Sequence, residues 1–165
     1  MPREPYNIYM KKELSDLLER SIDMEMTVSD LYGLYSQLFD EDRDFWWVLC
    51  LEEKNHAALL KSARIYLNID RLPQEALIND FNVLDKSVSA VSAKLEEYRN
   101  NPPTMNDAYA FARFVEDSAA EIHMQKVVSS QSDDRILKIF HELGRGDANH
   151  SERINGLIQK RGINA

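Results

Sequence analysis

Two four-residue stretches constrain this chain more than anything else in it. Glu53-Lys-Asn-His56 and Asp147-Ala-Asn-His150 each place an acid three residues before a histidine. On an α-helix such a pair shares one face, and in both cases that face is the apolar one. A helix expected from about Asp42 to Asn68 carries Trp46, Leu49, Cys50, Glu53, His56, Leu60, Ala63 and Leu67 on one stripe. Another, capped by Ser132, carries Ile136, Phe140, Leu143, Asp147, His150, Ile154 and Leu157, and stops at Gly162 behind Lys160 and Arg161. A buried charge costs on the order of several kcal/mol unless it is compensated. The same fold must therefore bring partners to both stretches.

Two further stripes supply them. The first helix, about Lys11 to Leu38, aligns Leu14, Leu18, Ser21, Glu25, Val28, Tyr32, Tyr35 and Phe39. Thr104 with Asp107 opens another helix, on which Met105, Tyr109, Ala112, Glu116, Ala119, His123 and Val127 align. Partners level in a helical hairpin lie equally far from its turn. The midpoint between Glu25 and the Glu53/His56 pair falls near residue 40, inside the acidic break Asp40–Asp44; that between Glu116 and the Asp147/His150 pair falls near residue 132, inside the polar stretch 129–134. Four carboxylates and two imidazoles are thus expected at one level of a four-helix core. The five prolines, Pro2, Pro5, Pro73, Pro102 and Pro103, all stand outside the periodic stretches. Between Asp70 and Asn101, Leu84, Val88, Val91, Leu95 and Tyr98 mark a short extra helix within a long crossover.

Composition narrows the functional classes. At 165 residues with 44% hydrophobic content, the chain is expected to form one domain, with a core bundle over about 10–160. A net charge of −8 without a basic run argues against a nucleic-acid partner. The single cysteine, Cys50, excludes an intrachain disulfide and a Cys-x-x-Cys metal site. No apolar run of membrane-spanning length and no signal-type N-terminus occurs, so a cytoplasmic chain with no membrane partner is expected.

Inward carboxylates and imidazoles without thiolates suit iron, manganese or zinc. Four carboxylates balance two divalent cations; without metal they repel one another, and some are expected to stay protonated at neutral pH. Tyr32 and His123 each follow a lone glutamate, Glu25 or Glu116, by seven residues. There either can hydrogen-bond a ligand, and His123 is also in reach of ligating directly.

The pattern Glu25…Glu53-x-x-His56…Glu116…Asp147-x-x-His150 resembles the di-iron carboxylate motif of the ferritin-like superfamily, closest to its rubrerythrin-like members. The resemblance implies an all-α, ferritin-like four-helix bundle whose crossover joins helices two and three. It also implies two metal ions, of which iron is the first expectation. Glu53 and Asp147 would bridge them, Glu25 and Glu116 would each chelate one, and His56 and His150 would be terminal ligands. The chain departs from the family in three places. Asp147 is one methylene shorter than the family's glutamate, Ala119 stands near where rubrerythrins carry an additional carboxylate, and no rubredoxin-like Cys₄ segment occurs. A separate electron donor is therefore implied.

Two functions follow as expectations. One is an oxidoreductase acting on O₂ or peroxide, peroxidase- or ferroxidase-like. The other is a non-catalytic metal-binding protein for iron uptake, storage or a structural metal site. Aromatic residues near the first helical turn favour a homo-oligomer, a dimer first. Gly144 and Gly146 sit mid-helix, where each costs about 1 kcal/mol relative to alanine. They are expected to let the last helix approach the core, so that the shorter Asp147 reaches the site.

Overall fold

The computed structural model describes residues 4–66, 81–127 and 135–163. They form α1 (Glu4–Leu38), a 3₁₀ turn (Asp40–Asp42), α2 (Arg43–Tyr66), α3 (Phe81–Asn100), α4 (Met105–Val127) and α5 (Arg135–Arg161). The described residues are helical almost throughout, as the three-and-four spacing of apolar residues requires. The expected cap at Ser132 lies outside them.

Local chemistry sets the ends. The Asp107 amide donates to Thr104 Oγ1 at 3.2 Å, which caps α4 at its N-terminus. At the far end of α5, Gly162 takes a positive φ of 63°. Its amide donates to the Gln159 carbonyl at 3.1 Å, and the Ile163 amide donates to the Ile158 carbonyl at 3.1 Å. This is the glycine-terminated ending that a residue with a Cβ would strain.

The acidic break after α1 becomes the tight turn into α2, and the two helices run antiparallel. Ser29 Oγ donates to the Cys50 carbonyl at 2.9 Å, and farther from the turn Arg64 pairs with Glu19 at 2.5 Å. Helix α3 lies along α1, and α5 packs on both α4 and α2. Helix α3 is longer than its sequence suggested, running 20 residues and burying all five of Leu84, Val88, Val91, Leu95 and Tyr98. A full apolar stripe of that length needs a partner, and α1 provides it. Tyr98 meets the Tyr35 ring at 6.2 Å, and Arg20 pairs with Asp85 at 2.6 Å.

Large aromatic side chains fill the space between the helices near the first turn. Tyr32, Tyr35, Trp46 and Tyr109 are fully buried, whereas Trp47 is half exposed. Trp46 stands edge-on to Tyr35 at 5.1 Å and to Tyr109 at 4.9 Å, arrangements that suit the quadrupoles of the rings. Beneath them is a polar knot that the acidic break did not reveal. Asp42 is buried and accepts hydrogen bonds from Tyr109 Oη at 2.6 Å and from Arg161 Nη2 and Nε at 2.7 and 3.0 Å. Trp46 Nε1 in turn donates to Tyr109 Oη at 3.2 Å. Burial alone would raise the Asp42 carboxyl, but the bonds from Arg161 and Tyr109 outweigh it and hold the group below its ordinary value. One carboxylate thus ties the first turn to α4 and to the end of α5.

A carboxylate with a lowered folded-state pKa stabilises above its ordinary value, and that contribution disappears as pH falls through the lowered one. Asp42→Ala should lower the unfolding free energy at pH 7 by about 1–3 kcal/mol, the usual worth of hydrogen bonds to a charged group. Urea melts of Asp42→Ala, Tyr109→Phe and the double variant should show less than additive loss. The acid-induced loss of stability between about pH 5 and pH 3 should be smaller in Asp42→Ala than in the wild type.

Candidate metal centre

Several turns along the helices from Asp42, the structure gathers the charged residues of the apolar stripes. Glu25 comes from α1, Glu53 and His56 from α2, Glu116 from α4 and His150 from α5, and all five are buried. Their burial follows from position: each occupies a stripe site at which a leucine would otherwise stand. The helix periodicity carries the carboxylates inward with the hydrophobes.

The five side chains form two triads that share one member. Glu25, Glu53 and His56 offer one ligand atom each within 4.8 Å of one another, as do Glu53, Glu116 and His150. The sharing is directional. Glu53 turns Oε2 toward His56 Nδ1 at 3.2 Å and Oε1 toward His150 Nδ1 at 2.8 Å. Glu25 Oε2 lies 3.5 Å from His56 Nδ1, and Glu116 Oε2 lies 3.7 Å from His150 Nδ1. The imidazole rings stack at 5.3 Å, 18° from parallel, so the two halves lie side by side at one level.

Side chains behind the triads orient them. Tyr32 Oη donates to Glu116 Oε1, so α1 fixes the rotamer of an acid on α4. Burial first, and then the neighbouring Glu116 and Glu53 charges, push the Tyr32 hydroxyl well above its ordinary pKa; it remains a donor. Glu52 Oε2 lies 3.0 Å from His150 Nε2 and accepts from Arg153 Nη1 at 2.6 Å. A carboxylate on the outer nitrogen leaves the inner one to face a ligand, the usual way in which metal-binding histidines are held. Sequence reasoning passed over Glu52 and Arg153. The one signal was the doubled acid at 52–53 with an arginine one turn after His150.

The backbone of α5 completes the centre. A Cβ on Gly146 would stand 2.6 Å from both Cε1 and Nε2 of His56, far inside contact distance. A cleft of about 320 Å³ opens over this edge, with Glu52, Glu142, Arg145 and Asn149 around the two imidazoles. The positions of Asp147 and His123 fall on α5 and α4, but their side chains lie outside the described residues. The approach of α5 at Gly146 is thus explained by the His56 ring, and the expected reach of Asp147 plays no part in that explanation.

Burial alone would lower the pKa of both imidazoles, but hydrogen bonding and charge from the carboxylates prevail. His56 is raised to about 11 by Glu25 and Glu53, and His150 to about 10 by Glu116 and Glu53. The surrounding carboxylates thus favour the protonated form of both rings in the metal-free fold. Positive charge on the imidazoles is a source of compensation that the sequence reading did not name beside the protonated acids it expected.

The donor set fits a pair of metal ions: three nitrogen or oxygen ligands for each position, a carboxylate able to face both, and no thiolate among the five. Comparisons with protein-family models, with curated proteins and with solved structures found no match in any of the three. Among the described residues, no helix is long and apolar enough to cross a membrane.

Because Nδ1 must lose its proton to ligate, metal binding should expel protons. Two divalent ions bound at pH 7 should release close to two protons, read from calorimetry in buffers of different ionisation enthalpy. Metal-free stability has the opposite dependence. A raised histidine pKa stabilises fully below about pH 6.5, the unfolded value, and the contribution is lost as pH rises through about 10 and 11. Metal affinity at each position should accordingly climb about tenfold per pH unit between pH 7 and 9.

Proposed function

We propose that this chain is a dimetal carboxylate protein of the ferritin-like type, with rubrerythrin-like ligands, acting as an oxidoreductase on O₂ or peroxide. The observation that carries the reading is Glu53, whose two oxygens face two different histidines and which belongs to both triads. A carboxylate placed between two ligand sets is what a metal pair requires, and a single ion would leave one of the two triads without its metal. On this reading α1, α2, α4 and α5 constitute the four-helix bundle, with α3 on the crossover.

Glu25, Glu53 and His56 would hold one ion, and Glu53, Glu116 and His150 the other, with iron as the metal that the proposed chemistry favours. Bound iron supplies the one-electron redox steps that side chains lack. The remaining work falls to the chain. Tyr32 holds Glu116 in place through a hydrogen bond and offers the nearest phenolic proton to the centre. Glu52, itself held by Arg153, anchors His150 at Nε2 and keeps Nδ1 turned toward the centre. Tyr32 and Trp46 shield the side of the centre toward the first turn from water. The cleft beside His56 and His150 gives small solutes access from the other side.

Metal should stabilise the folded chain by mass action, so the melting temperature at pH 7 should rise with iron concentration. Equal melting temperatures for chelated and loaded protein would refute metal binding. Glu53→Ala should abolish both positions, whereas Glu25→Ala should empty mainly one, as counted by metal analysis after anaerobic loading. Stopped-flow mixing of the ferrous protein with O₂ and with H₂O₂ then tests the reaction. Rapid oxidation with turnover in the presence of a reductant supports the oxidoreductase; uptake of many irons per chain supports storage.

A further inference from the structure

Helix α5 contributes to the centre in two ways, one of them through an absent side chain. His150 supplies an imidazole, and Gly146, one turn earlier on the same face, leaves a gap. Into that gap fits the outer edge of His56 from α2. A Cβ at Gly146 would meet Cε1 and Nε2 at 2.6 Å and Cδ2 at 3.8 Å. The adjoining corner of the ring, Nδ1, faces Glu53 and Glu25 at 3.2 and 3.5 Å. The imidazole is therefore clamped between a helix backbone and two acids.

Neither side of the clamp can give way easily. The ring cannot tilt toward His150, whose own ring is stacked on it at 5.3 Å. Helix α5 cannot retreat without drawing His150 away from Glu53, which it approaches at 2.8 Å. Other described glycines face no such demand. A Cβ on Gly33 would make an ordinary 3.5 Å contact with Cys50 Sγ, and one on Gly156 would meet nothing within 4 Å. A glycine inside a helix is disfavoured relative to alanine, and at 146 the His56 ring supplies the reason for it.

We propose that Gly146 is a positioning residue for the Glu25–Glu53–His56 metal position: the slot it leaves in α5 seats the His56 ring so that Nδ1 faces the two acids. The inference rests on the two-metal reading above. A methyl group at 146 displaces the ring and spoils one position while leaving Glu53, Glu116 and His150 to hold the other. Alanine at 146 converts a two-metal centre into a one-metal centre without replacing a ligand.

The test uses the full chain, stripped of metal and titrated anaerobically with Co²⁺, whose visible bands report each position. Gly146→Ala should bind one ion where the wild type binds two. One affinity should fall at least tenfold and the other stay within about twofold, the pattern of Glu25→Ala. His56→Asp provides the control, since its Oδ can occupy the place of Nδ1 while Cε1 and Nε2 are deleted. In the His56→Asp background, Gly146→Ala should change neither the metal count nor the metal-free melting temperature, although by itself it lowers that temperature. Should Gly146→Ala fail to fold, recovery of folding by His56→Asn, which deletes the same ring atoms without adding an acid beside Glu25 and Glu53, supports the slot and failure to recover overturns it. Two ions with unchanged bands in Gly146→Ala, or equal weakening of both positions, also overturns the inference while leaving the two-metal reading intact. A wild type that takes no Co²⁺ or Fe²⁺ overturns both, and the metal-free melts then show separately whether the ring and the glycine are in contact.

Discussion

Three carboxylates buried at one level, Glu25, Glu53 and Glu116, are the constraint around which the described helices are arranged. An unpaired buried charge would cost more than a typical domain can spare, since net stabilities are only about 5–15 kcal/mol. Each acid must therefore be answered by a cation or a donor from another helix. His56 answers Glu25 and Glu53, His150 answers Glu53 and Glu116, and Tyr32 donates to Glu116. Every one of these contacts except the Glu53–His56 pair joins two helices. Charge compensation and helix assembly are consequently one event.

The centre has a duality that follows from its electrostatics. Without metal, protonation of the two imidazoles is favoured by the carboxylates; on the proposed reading bound ions would supply that positive charge and the protons would leave. The geometry needed by the two states is nearly the same, because in both a cation must sit between the Nδ1 edges and the carboxylates. Such a cluster is assembled by folding and could hold metal ions. The Asp42 knot serves the other end of the helices, where Arg161 and Tyr109 hold the first turn against α4 and α5.

Much of this was legible in the residues. Spacings of three and four located the helices and selected Glu25, Glu53, His56, Glu116, Asp147 and His150 as inward; five of the six are buried, and the side chain of Asp147 lies outside the described residues. The equal distance of partners from each turn placed them at one height, since rise per residue is the same in both arms. The crossover helix was undervalued because its partner, α1, is far away in sequence. The Asp42–Arg161–Tyr109 knot escaped for a similar reason: an aspartate in an acidic turn gives no sign that an arginine 119 residues later will reach it.

Periodicity is a property of one helix and can be read from one helix, so the sequence by itself determined which residues face inward and at what level. Lateral relations belong to two helices at once and depend on their separation and rotation about their axes. Only the tertiary structure decided that Glu53 divides its two oxygens between two imidazoles, and that Glu52 turns to the outer nitrogen of His150. It also decided the meaning of Gly146. In sequence that glycine was a weakness in a helix; in space it is where the backbone of α5 comes close enough to the His56 ring that no side chain fits between them.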